Sequence, residues 1–204
     1  MYSLRPVYKK FIDEIIILKD ILDDLSTENK SFKRDLFAEG VFLRIVIIWE
    51  SFLEELFLRA LCKCKTKTNK VIKPKTVISK NVQKAYKKLN IQKKNRDNSY
   101  LDWLDYSTLK KRAEIYFHHR SRIHKIYSNP QYLHQIKAIR NHIAHSSVKT
   151  KKDFQEKIIE QVGYLTIPDA NVADYLFSIK RNSNKKFYEI YIEFYISLAN
   201  ELCK

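Results

Sequence analysis

Glycine is nearly missing from this chain: Gly40 and Gly163 are the two in 204 residues, and proline stops at Pro6, Pro74, Pro130 and Pro168. A sandwich or barrel of short strands needs many tight turns, and tight turns draw on glycine for positive φ. So few breakers predict long helices joined by short connections. The expected fold class is all-α, a bundle of about six to eight helices with no β-sheet.

Cysteine is scarce as well. Cys62, Cys64 and Cys203 make an odd count, and the Cys62-x-Cys64 spacing does not suit zinc, so all three are expected as reduced thiols of a cytoplasmic protein. Long apolar runs are missing too. The most apolar stretch, Phe42 to Leu61, is broken by Arg44, Glu50, Glu54, Glu55 and Arg59. A membrane span needs about 20 apolar residues, so no membrane association is expected. Met1 to Pro6 lacks the basic start and apolar run of a signal peptide. There is no internal repeat, no sustained heptad pattern and no glycine-rich phosphate loop.

What the chain has in excess is positive charge, +16 at pH 7. A surplus of this size suits a polyanionic partner, nucleic acid or an anionic membrane surface. The excess is carried by 29 Lys against 10 Arg, a balance equally compatible with lysines that only decorate solvated faces. The 45% apolar and 30% charged content is that of an ordinary globular chain, and a single domain over 1–204 is expected, with a basic insertion or extra helices around 65–129.

Apolar periodicity places the helices. Phe11, Ile15, Leu18 and Leu22 predict one from Pro6 to about Leu25; Phe42, Ile45, Trp49, Phe52, Leu53 and Leu56 predict a central one over Phe32 to Lys63. Lys65 to Lys75 reads as a loop, Val77 to Leu89 as a weak amphipathic helix, and 92–99 as a polar, mobile run. A helix over Leu101 to Tyr127, broken near Tyr106-Ser107, precedes Asn129-Pro130, a good N-cap and first helical residue. Lys151 to Val162 reads as a short helix ended by Gly163, Tyr164 to Asn184 as irregular with a helical turn at Val172 to Ile179, and Lys185 to Leu202 as a tyrosine-rich core helix.

The helix opened by Pro130 carries a dense polar cluster at its end. On a helical wheel Leu133, Ile136, Ile139 and Ile143 share one face, Arg140 falls in that same sector, and Asn141 and His145 lie on the other side at i, i+4. An arginine on an apolar stripe cannot shed its charge and needs a carboxylate or a phosphate. Glu50 or Glu55 of the central helix is the expected carboxylate partner. Histidine titrates in the range useful for moving a proton, and the guanidinium offers a fixed fork of donors to a phosphate. Asn141 can orient His145 or hold a phosphate oxygen. Together they suit cleavage of RNA by its own 2′-hydroxyl, which requires no metal, and no acidic cluster suited to Mg²⁺ is evident. His142, Lys137 and Lys149 are the expected RNA contacts, with Lys151 and Lys152 nearby. His118, His119 and His124 lack the spacing and the partners of a metal site. The alternative reading makes the helix end structural, with His145 capping carbonyls and Arg140 paired to a core glutamate.

An Arg followed by a His after four to six residues arises about once by chance in this composition, and Arg112 with His118 or His119 reproduces it. The tighter string Arg140-Asn141-x-x-Ala144-His145 resembles the motif of the HEPN superfamily of helical ribonucleases: Arg, a polar residue that is often Asn, and His. The layout is similar too, with a long apolar helix carrying Trp49 to Leu56 ahead of the motif helix. The resemblance implies that Arg140 and His145 are catalytic, with Asn141 supporting. It implies a homodimer whose two motifs face one cleft and a metal-independent, cofactor-free endoribonuclease leaving a cyclic phosphate. It further implies a toxin or phage-defence effector, with an antitoxin or other defence partner, of the types found at RNA-repair and defence loci. A non-catalytic module of the same fold, binding RNA or protein, is the other expectation.

Overall fold

The computed structural model describes residues 1–91, 102–159 and 171–204. Its elements are β1 (Tyr2–Ser3), α1 (Arg5–Thr27), α2 (Phe32–Leu61), β2 (Cys64–Lys65), β3 (Val71–Ile72), α3 (Val82–Ile91), α4 (Tyr106–Tyr116), a 3₁₀ helix (Arg122–Tyr127), α5 (Pro130–His145), α6 (Val148–Phe154), a π-helical turn (Gln155–Ile159), α7 (Val172–Phe177) and α8 (Phe187–Cys203). The chain divides into two compact units: Met1–Ile12 with Glu50–Pro130 and Ser197–Lys204, and Asp13–Trp49 with Gln131–Ile196. Among the described residues no helix is long and apolar enough to cross a membrane.

The first unit contains a small sheet, contrary to the expectation of none. β1 pairs parallel to β2 through Tyr2 and Cys64, and β2 pairs antiparallel to β3 through Cys64 and Ile72. Its turns need no glycine: Lys63 and Asn69 take φ of 62° and 63°. The buried Thr66 hydroxyl accepts from the Thr68 and Lys70 amides and so stands in for a tighter turn. Strands of two residues are too short to show alternation, so composition did not betray them. In the same unit Phe57 packs against Trp103, Tyr116 and Phe117 at centroid distances of 5.4, 6.1 and 5.3 Å. The three cysteines are free and buried here, and burial pushes the thiols of Cys64 and Cys203 up to about 12.

Helix α4 begins where a break was expected, capped by Asp105, which accepts from the Thr108 amide; the chain leaves helix at Phe117 instead. The run 92–99 lies outside the described residues.

In the second unit the tyrosine-rich α8 is core, as its period required. Tyr191 and Tyr195 are buried, with Tyr195 stacked on Trp49 at 4.5 Å and Tyr191 edge-on to Phe42 at 6.0 Å. Tyr188 donates to Asp23 at 2.7 Å. Helix α6 starts three residues before the expected Lys151, because Ser147 and Thr150 form a reciprocal capping box. Its expected end at Gly163 falls outside the described residues. Asn171 caps α7, the expected helical turn.

Candidate functional site

Helix α5 starts at Pro130 and ends at His145. Leu133, Gln135, Ile136, Ala138 and Ile139 are buried, a wider sector than the apolar stripe alone. His134 and His145 are exposed and Lys137 and Asn141 half-buried; by helical angle these four share the face turned away from the core. Arg140 falls by helical angle between Leu133 and Ile136, within the apolar sector, and is half-buried.

The helix stops because Ser146 turns left-handed, at φ 41°, and donates its amide to the His142 carbonyl at 2.9 Å. Ser147 then caps α6, so two serines form the whole connection and bring α6 directly after His145. Lys149, Lys151 and Lys152 are exposed on α6; Lys152 pairs with Glu156 at 3.5 Å.

Arg140 donates from Nη1 to Asn141 Oδ1 at 3.3 Å, and its Nε is enclosed with no hydrogen-bond partner. Among the described residues it makes no ion pair. Of the two carboxylates expected as its partner, Glu55 is paired with Arg59 of its own helix at 2.5 Å, and Glu50 is buried on α2.

Arg112, which reproduces the Arg-to-His spacing, has a different setting. It is buried, stacks on Trp103 at 4.6 Å and donates to the Asp102 carbonyl at 2.8 Å, with the carboxylates of Asp102 and Glu54 in its field. Its candidate histidines, His118 and His119, follow the end of α4 and are exposed. That arginine is packed as structure. His124 is also engaged, Nδ1 with the Tyr127 hydroxyl at 2.6 Å and Nε2 with the His118 carbonyl at 3.0 Å. Among the described residues no group of three or more His, Cys, Asp or Glu could hold a metal ion.

His142, expected to contact RNA, lies with its ring stacked on Phe154, centroids 5.1 Å apart and planes 15° from parallel. Its Nδ1 is enclosed without a partner, and burial, with the Lys151 ammonium, holds the imidazole below its ordinary range.

Two features escaped the motif. His134 shares the exposed face of Asn141 and His145, visible only once the wheel is extended back two turns. From Ile115 to Lys152 the chain has no Asp or Glu, yet holds all six histidines and eight Lys or Arg. A charge profile along the chain shows this; a total of +16 does not.

Set against protein-family models, curated proteins and solved structures, the chain shows no significant match.

Proposed function

We propose that this protein is an endoribonuclease of the HEPN type, with Arg140 and His145 at the reactive centre and Asn141 supporting them. The observation that carries the reading is Arg140: a half-buried guanidinium with an orphaned Nε, no carboxylate partner among the described residues, and a neighbouring amide that orients it. A fixed cation left without an anion in a folded protein is most readily explained by an anion that arrives. The RNA phosphodiester is that anion, and the acid-free stretch from Ile115 to Lys152 is the ground on which it would settle.

In the proposed reaction the ribose 2′-oxygen attacks phosphorus and the bond from phosphorus to O5′ breaks. The products are a 2′,3′-cyclic phosphate and a free 5′-hydroxyl. A proton leaves the 2′-hydroxyl and another reaches O5′; His145, exposed at the helix end, serves one of these transfers. Arg140 stabilises the charge that builds on the nonbridging oxygens. In a homodimer with two motifs facing one cleft, the second His145 serves the other transfer. The mechanism requires no metal or cofactor. A toxin or phage-defence effector held in check by a partner is the setting this activity suits.

The test is cleavage of total RNA in EDTA by wild type, Arg140→Ala and His145→Ala. Each variant is expected to lose about 100-fold or more in rate. Equal cleavage by all three removes the proposal; salt-sensitive binding without cleavage transfers it to the non-catalytic module.

A further inference from the structure

The rings of the second unit form a chain that begins and ends on α5. His142 stacks on Phe154 of α6 at 5.1 Å; Phe154 meets Tyr175 of α7 edge-on at 5.9 Å; Tyr175 stacks on Phe187 of α8 at 4.4 Å. The Tyr175 and Tyr191 hydroxyls are 2.7 Å apart, and Tyr191 donates to the buried Gln135 Oε1 at 3.2 Å, back on α5. Gln135 and His142 are seven residues apart and so share a face, about a quarter turn round the helix from Asn141 and His145. A helix held at two points on one face cannot rotate without breaking a buried hydrogen bond or unstacking a ring.

We infer that His142 is a positioning residue: the face of its ring, docked on Phe154, fixes the corner from which Arg140, Asn141 and His145 act. The inference rests on the reading of 140–145 as the reactive centre. The ring's partner is aromatic, its enclosed Nδ1 has no hydrogen-bond partner, and α6 follows only two residues after His145.

The experiment separates ring from nitrogen. His142→Phe keeps a flat ring and removes both nitrogens; His142→Gln keeps a polar side chain and removes the ring; His142→Ala removes both. Full-length variants are compared by steady-state cleavage of a fluorescent oligoribonucleotide in EDTA and by the NMR chemical shifts of the His145 ring. The Phe variant is expected within about threefold of wild-type kcat, and the Gln and Ala variants about tenfold or more below it with KM little changed. The His145 ring signals are expected to move in Ala and return in Phe. Retained cleavage in Gln with loss in Phe overturns the inference, as does full activity in Ala. If wild type does not cleave, the reading of the reactive centre fails by itself. Amide exchange over Ser146–Thr150 then decides the positioning role: protection lost in Ala and restored in Phe supports it, and protection unchanged in Ala ends it.

Discussion

At the scale of single residues, the two arginines that share one spacing separate by their surroundings. Each has one enclosed nitrogen without a partner, but Arg112 has a ring beneath it, a carbonyl in front and carboxylates in its field, whereas Arg140 has only an amide neighbour among the described residues. Arg112→Met is therefore expected to destabilise the fold by about 1–3 kcal/mol, since it strips a buried hydrogen bond and a stacked cation. Arg140→Met is expected to leave stability unchanged or raise it by about 1 kcal/mol while ending cleavage. Urea denaturation of both variants checks this, and a destabilised Arg140→Met would mark that residue as packing. His142 adds a pH dependence. Its folded pKa lies below its unfolded value, so the unfolded chain binds the extra proton and stability falls as pH drops through about 6.5, levelling off below the folded pKa. In His142→Phe that part of the acid-side loss is expected to vanish in thermal melts between pH 7 and 5.

At the scale of elements, α2 carries one residue that its own unit does not require. Gly40 sits mid-helix, exposed, and a Cβ added there meets nothing within 4 Å. Gly40→Ala is expected to stabilise by about 1 kcal/mol through helix propensity and to raise the melting temperature by about 2–4 °C. A lowered melting temperature would show that Gly40 is there for close approach by another molecule. The α5–α6 corner is the opposite case, with Ser146 held left-handed where glycine is the usual choice. The pair of serines leaves the motif helix and the lysine-bearing helix almost no freedom between them.

At the scale of the whole molecule, charge is the organising quantity. The excess of +16 is uneven: acids are absent across the stretch that holds the motif, while α1 alone carries Asp13, Glu14, Asp20, Asp23 and Asp24. Binding of single-stranded RNA is expected to weaken steeply with salt, and removing one phosphate contact by Lys149→Ala should lower the slope of log K against log salt by about 0.7. An unchanged slope in that variant would remove Lys149 from the interface.

Much of this protein was decided by local chemistry and is readable as such. Scarce glycine and apolar period foretold the long helices, Pro130 the start of α5, and the wheel the place of Arg140 within the apolar sector, because helices are made by contacts within a few residues. The sheet escaped that logic, since two-residue strands pair through sequence separations of up to about 60 residues and carry no pattern of their own. A guanidinium's need for an anion is intrinsic, and that Glu55 is already claimed by Arg59 is local too, an i, i+4 pair one turn apart on α2. Only the tertiary structure stacked His142 on Phe154 and returned Tyr191 to Gln135, because ring contacts and buried hydrogen bonds depend on the meeting of four separate helices.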